Sequence, residues 1–592
     1  MIGKSLPLLL AILTMVLSAA SAPSGAEDAR YQSIAIRCTL DDDGSWLTDY
    51  RHTVRLSSYN AINRLGETFI VTNPAWQELK VLKAETTMAN GRKVPSPANA
   101  FNEVLPGMAA GFADFARLRE MVITHTGLER GAVVELHYQI RTRAGAFPFF
   151  TLREPLGRPY PVDEFRLLVD APASLPLTFQ TVNVALEPTI TPAGNRLVRE
   201  WRLRDLAAMP GENGSSPADQ PFLLVAAAPD GQPAFPRLPS PGEVPADLRS
   251  EDRAEGDLRL PALVRRMAET LALCPVPLSL TGLTPRPLAR VFASGYATRL
   301  EKALALRALL AQRGFPSRLL AVADSPAYAG HVPAWNAYDT FLLQAGGDET
   351  PCFIDPTTGA VTVRWRPRSD CLVLDLDSGK TERLPPASAA ENTVAITGRV
   401  VLGTDKTATA LTLEVSGHYH QPEAVADDPK RFAVTWLGKV FPATEWTVRR
   451  MAFLDETRCV IELDGTGNWL AICGKDSRVL PPFHLPVVQG EWAQTNRRET
   501  SFRSEVPFVV SLDLTMVPPA GYAFENLPAA FTKKNEIGAS HLRFSPISRG
   551  SLQLSSRCEL DRNLIPASAW ADFSSLIRPL LGGDQRLYLA RP

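Results

Sequence analysis

The stretch Ala293–Val322, ASGYATRLEKALALRALLAQRGFPSRLLAV, decides how the middle of the chain is built. From Thr298 onward it is made of strong helix formers, and Gly314 followed by Pro316 is a stop signal. Leu300, Leu304, Leu306, Leu309 and Leu310, with several alanines, leave this helix apolar nearly all round, which places it inside a core rather than on a surface. LPALVRRMAETLAL and TPRPLARVFAS before it read as helices. SRLLAVA, TFLLQA and PCFIDPTTG after it read as short strands, so the middle of the chain is α+β.

On both sides of this segment the texture changes. Residues 27–235 read as strands and turns. In VVELHYQIRTR, Val134, Leu136, Tyr138 and Ile140 alternate with Glu135, His137, Gln139 and Arg141, the pattern of a half-buried strand. His137 lies on the outward face, where a lone histidine is a solvated side chain. Asn90-Gly91 in MANGRKVP is a hairpin turn signal. Residues 236–256, rich in proline and charge and without periodicity, read as a linker or surface strap. From 392 to 592 strand texture returns, with Leu411, Leu413 and Val415, then Val510, Leu512, Leu514 and Met516, at alternate positions, and one closing helix near the end. No internal repeat is visible.

At 592 residues the chain exceeds one core, since domains average roughly 150 residues. A net charge of −1 with 21% charged residues offers no basic excess, so no nucleic-acid partner is expected. MIGKSLPLLLAILTMVLSAASAPSGA has a lysine near its start, a short apolar run and then small residues, the pattern of a secretory signal peptide over residues 1–26. Its cleavage would export the protein to the periplasm or exterior with no stable membrane insertion. Export permits disulfides. Cys459 and Cys473 lie equally far from Thr466 in what reads as a hairpin around Asp464-Gly465-Thr466-Gly467-Asn468, a register that would face them as a cross-strand disulfide; two separately buried thiols fit the spacing as well. The other five of the seven cysteines show no metal-ligand spacing.

TMANGRKVP, GLERGAVVELHYQI and REWRLRDLAAMPGE, in that order after the leader and before the helix and the IDPT segment, carry a resemblance. The chain resembles bacterial exported proteins in which an N-terminal domain of unknown function, the DUF3857 family, precedes a transglutaminase-like domain. The resemblance implies an antiparallel β-rich N-terminal domain at 27–235 and the linker at 236–256. It also implies a papain-like α+β domain at 257–391 and a β-rich C-terminal domain at 392–592. REWRLRDLAAMPGE would lead into a loop carrying the acidic Glu212.

A transglutaminase-like site needs a thiol, a histidine that deprotonates it and an aspartate that orients the histidine. The resemblance puts Asp355 of FIDPTTG in the orienting role, while the thiol position falls on Ala297 or Arg299 and the histidine position on Trp335, Asn336 or Ala337. The triad is thus vestigial, and no catalytic residue is expected. His331 lies several residues too early, and Asp355 without a histidine would brace the Pro-Thr turn. Ser294 and Thr298 flank the vacant position as replacement nucleophiles without a base. His418 and His420, two apart on an expected strand with Glu423 nearby, are a weak metal pattern, and no metal or other cofactor is expected. No phosphate-binding glycine loop is present. The expectation is a binding module or scaffold whose cleft, with Gly295, Tyr296, Trp335 and Asn336, takes a peptide, protein or glycan. The alternative is a hydrolase or acyltransferase with a replacement nucleophile or a metal in the same cleft.

Overall fold

The computed structural model describes residues 28–591 apart from 210, 230–234, 236–237, 239–243, 245–259, 324, 326, 347–351, 363–370, 385–386, 456 and 494. The leader at 1–26 and most of the linker at 236–256 lie outside the described residues. What is described is mostly β, in several sheets, and is multidomain. No described helix is long and apolar enough to cross a membrane.

The N-terminal part is built on an eight-stranded sheet whose centre is the strand Ala29–Leu40. That strand runs antiparallel to Trp46–Leu56 and parallel to Val162–Pro172. Ile34, Ile36, Cys38 and Leu40 point into the core at period two, as the alternation of a one-sided strand requires. The expected strand at VVELHYQIRTR is Val133–Thr142, and the expected hairpin joins Gln77–Thr87 to Lys93–Pro95 through Gly91 at φ 85°. His137 is not a lone solvated side chain as expected: its Nε2 lies 2.9 Å from Asp49, which also accepts from Gln139, because two neighbouring strands bring these groups to one face.

The C-terminal part is built on a second eight-stranded sheet, centred on Thr393–Val401. Over seven strands its order repeats that of the first, and the eighth lies at opposite edges, Lys93–Pro95 beyond Gln77–Thr87 in the first sheet and Phe531–Lys534 beyond Gly538–Pro546 in the second. The central strand is again antiparallel to the next in sequence, Thr407–Ser416, and parallel to a later one, Phe508–Val517. Beyond the second strand, the nearer neighbour comes later in the chain than the outer one: Val133–Thr142 inside Gln77–Thr87 in the first sheet, Arg458–Gly467 inside Thr444–Asp455 in the second. Beyond the parallel strand the same reversal recurs, with Arg196–Leu206 inside Thr189–Ala193 and Leu552–Leu560 inside Gly538–Pro546.

Between them, residues 260–383 form helices Leu260–Thr270, Leu288–Ser294 and Arg299–Gln312 against a six-stranded antiparallel sheet. The helix quoted at the outset packs at the centre, with Leu300, Ala303, Leu304, Leu306, Leu309 and Leu310 all buried. This middle part is continuous with the N-terminal one through the strand Phe222–Ala227, in which every residue is buried. Leu223, Val225 and Ala227 pack into the N-terminal core, while Phe222, Leu224 and Ala226 join the core around the central helix. A strand apolar on both faces is what a shared wall between two cores demands.

Candidate functional site

Gly295, at φ 71°, ends helix Leu288–Ser294 in the left-handed conformation that glycine adopts without strain. The chain then pairs Tyr296–Ala297 in parallel with Ala272–Leu273 and enters the central helix at Thr298. Thr298 is the cap of that helix. Its hydroxyl accepts from the Glu301 N–H at 3.3 Å and the Glu301 carboxylate accepts from the Thr298 N–H at 2.9 Å, a reciprocal capping box. Ser294 donates its hydroxyl to the Val291 carbonyl at 2.8 Å. Both candidate hydroxyls are therefore engaged with backbone.

The strand pairing brings Cys274 close to Ala297 in the backbone, a proximity that linear spacing hid, although the Cys274 side chain packs with Tyr296, Leu118 and Val276 while Ala297 joins the core around the central helix. The Cys274 N–H donates to the Ala297 carbonyl at 2.8 Å, so Cys274 sits one strand across from Ala297. The loop Cys274–Ser279, the helix start Thr298–Leu300 and Trp335, Asn336, Tyr338 and Phe341 enclose a cleft of about 140 Å³. Burial pushes the Cys274 thiol up, against weaker opposing pulls from the Val276 backbone and Arg286, which keeps it protonated at neutral pH. Trp335 is 5% exposed and its ring stacks on Phe147 with centroids 4.9 Å apart. Its Nε1, and Oδ1 of Asn336, are buried without a hydrogen-bond partner.

Asp355 closes an Asx turn: its Oδ1 accepts from the Thr357 N–H at 2.8 Å. The charged neighbour of its carboxylate is Lys302, not a histidine. Lys302 is 2% exposed and donates from Nζ to the Ala268 carbonyl at 3.0 Å; burial pushes its ammonium down, and the Asp355 charge opposes that. His331 is exposed and does not line the cleft.

Of the four residues expected to bind, Trp335 and Asn336 line the cleft, whereas Gly295 and Tyr296 do not. Tyr296 turns to the other side of its strand and packs with Ala109, Leu118, Phe112 and Phe115 of the N-terminal part, its hydroxyl accepting from the Asp114 N–H at 2.7 Å. There Arg286 joins three elements. It donates to Glu301 at 2.9 and 2.8 Å, to the Tyr296 carbonyl at 3.0 Å and to Asp114, and its guanidinium lies 4.7 Å over the Tyr296 ring. The seam therefore backs directly onto the strand and helix cap that form the cleft.

The remaining expectations need correction. His418 and His420 do not share a strand face: the strand ends at Ser416, and Gly417–Tyr419 is a short turn. His418 lies 3.0 Å from Glu505, and His420 is buried with its ring against Phe453; the Glu423 side chain is outside the described residues. Among the described residues no three ligating side chains gather around a metal position.

Cys459 and Cys473 are both free, the first buried and the second exposed. No hairpin joins them, because Asp464 to Gly467 lie inside the strand Arg458–Gly467, and Ala471–Ile472 pairs in a different sheet. Gly465 marks close packing, not a turn: a Cβ there would lie 2.5 Å from the Trp446 ring. Iodoacetamide is accordingly expected to label Cys473 in the native protein and Cys459 only after unfolding; protection of Cys473 that dithiothreitol removes would restore the disulfide.

No curated protein matches the chain. Among solved structures, a candidate protease from Parabacteroides distasonis ATCC 8503, known by its crystal structure, superposes with a TM-score of 0.70 at 22% identity, over 95% of this chain and 99% of that one. The fold is thus shared from end to end. An aminopeptidase A of Legionella pneumophila, crystallised with aspartic acid, matches over 34% of this chain and 22% of its own at 8% identity and a TM-score of 0.20, too low to bear on the fold. Residues 42–210, which hold the strands of the large N-terminal sheet other than its central Ala29–Leu40, match the family of unknown function DUF3857, and that part of the chain is a DUF3857 domain.

Proposed function

We propose that the chain is an exported, non-catalytic transglutaminase-like protein whose cleft holds an extended peptide segment of a protein partner. One observation carries the reading: Trp335 and Asn336 line the same small cleft, and each carries a buried polar atom, an indole N–H and an amide oxygen, without a partner. A donor and an acceptor left unpaired in a buried site are costly unless a ligand completes them. A peptide unit offers the matching carbonyl and N–H, and about 140 Å³ admits one such unit with a small side chain. Covalent chemistry is disfavoured because Thr298 and Ser294 are engaged with backbone and Asp355 has Lys302, not a histidine, beside it.

The second reading, a thiol hydrolase, is favoured by the position of Cys274 beside Ala297 and agrees with the description of the Parabacteroides protein. A protonated, fully buried thiol without a base weighs against it.

The test is a titration with blocked tetrapeptides of varied central residue. Trp335→Phe keeps the ring on Phe147 and deletes the N–H, so binding is expected to weaken about tenfold, the value of one hydrogen bond in a dry site. Peptides that bind both proteins equally, or neither, would remove the cleft from the account.

A further inference from the structure

We propose, resting on the reading of the cleft as a peptide site, that its occupant is the free C-terminal end of a polypeptide, held by its carboxylate. The cleft lies at the N-terminus of the helix Arg299–Gln312, with Thr298, Arg299 and Leu300 among its walls. The capping box satisfies the N–H groups of Thr298 and Glu301. Those of Arg299 and Leu300 have no carbonyl one turn back in the helix to receive them, and such N–H groups carry the positive end of the helix dipole. Outside the helix, Trp335, 5% exposed and with an unpartnered indole N–H, lines the same cleft.

The charge of the lining favours a chain end over an interior segment. Of the residues that enclose the cleft, Arg299 is a cation and none is an acid. Arg299 is exposed, and its guanidinium makes no hydrogen bond or ion pair with any described residue. The carboxylate of its own turn, Glu301, is held by Arg286 and does not line the cleft. A cation in the first turn of a helix opposes the dipole, so the charge of Arg299 does not serve the helix that carries it. An anion in the cleft reverses the sign, because one carboxylate can meet both the guanidinium and the free N–H groups of the first turn. An interior peptide unit, being uncharged, leaves Arg299 without a partner. A volume of about 140 Å³ holds one residue with a small side chain, which a terminal residue and its carboxylate would fill.

Acetylated tetrapeptides ending in glycine, alanine, serine or valine would be titrated into the full chain by calorimetry, each as the free acid and as the C-terminal amide. Amidated peptides with an internal glutamate form a third arm. The proteins are the natural one, Arg299→Gln and Trp335→Phe; Arg299→Gln is an exposed change and keeps the fold. At least one free acid is expected to bind saturably and about tenfold or more tighter than its amide, the scale of one charge-assisted hydrogen bond. Arg299→Gln should bring the acid down to the affinity of the amide and leave the amide unchanged, whereas Trp335→Phe should weaken both forms. Equal binding of acid and amide to the natural protein, with both weakened in Trp335→Phe, would overturn the terminal carboxylate and leave the peptide site standing. So would an acid preference undiminished in Arg299→Gln, or glutamate peptides that bind as tightly as the free acids, which would assign the carboxylate to a side chain. Binding of neither form would overturn both readings.

Discussion

Replacing Arg286 with alanine is expected to destabilise the protein by about 3–5 kcal/mol, a large part of an ordinary domain's stability. Arg286 is the partner of Glu301, which is 4% exposed, and removing it leaves a buried carboxylate without its counter-ion. The same change removes one of the two arginine partners of Asp114 on the N-terminal part, leaving Arg290, and uncovers the Tyr296 ring. Arg286→Lys should recover little, because one ammonium cannot span Glu301, Asp114 and a carbonyl as the planar guanidinium does. Arg299→Ala, an exposed change at the start of the same helix, should stay within about 0.5 kcal/mol. Urea midpoints for the three variants check this ordering.

The seam also predicts an acid limb. Hydrogen bonds from Arg290, then from Arg286, hold the Asp114 carboxyl down to about 2, below its ordinary 3.8. A carboxyl depressed by folding contributes stability that is complete above its unfolded value and is lost as pH falls through the folded one. The loss therefore begins just below pH 4 and runs toward pH 2, and it should be smaller in Arg286→Ala, where one of the two arginines that cause it is gone.

Phe222→Ala is expected to cost about 3–5 kcal/mol, the range for a fully buried phenylalanine. Its consequence should extend beyond one domain. The strand Phe222–Ala227 contributes alternate residues to two cores, so a cavity on its inner face weakens the wall both cores share. Hydrogen exchange should show the strand Val162–Pro172 and the helix Arg299–Gln312 losing protection together. Loss confined to the helix would show that the two cores unfold separately.

The central helix was legible because its leucines and alanines left no polar face and Gly314 and Pro316 closed it. Thr298-Arg-Leu-Glu301 at its start has the Thr-x-x-Glu spacing of a capping box, a signal in the sequence itself, and the structure makes Thr298 a helix cap where its place beside Ala297 suggests a replacement nucleophile. The burial of Glu301 and Lys302 could not be read from helical periodicity, because each is matched by a group far away in the chain: Arg286 for one, Ala268 and Asp355 for the other. Cys274 was invisible as a neighbour of Ala297 for the same reason, since pairing of two-residue strands leaves no sequence pattern. The hairpin expected around Thr466 failed because glycine has two uses: at Gly91 it turns the chain, and at Gly465 it admits a tryptophan ring. The strand order that seven strands of the two large sheets share lay beyond sequence because alternation fixes which residues face inward and leaves strand order open.

The claim that the cleft binds without bond-breaking is tested most directly by turnover and adduct formation in one experiment. The natural protein, Cys274→Ser and Thr298→Ala would be incubated with activated peptide amides and esters, and intact mass and product release followed together. An acyl-enzyme needs a nucleophile that can be deprotonated, and the Cys274 thiol is buried among apolar side chains, which pushes its pKa up. The account predicts no adduct and no release above the uncatalysed rate in any of the three proteins. An adduct on the natural protein that is absent from Cys274→Ser would contradict it and make Cys274 the working nucleophile of a hydrolase.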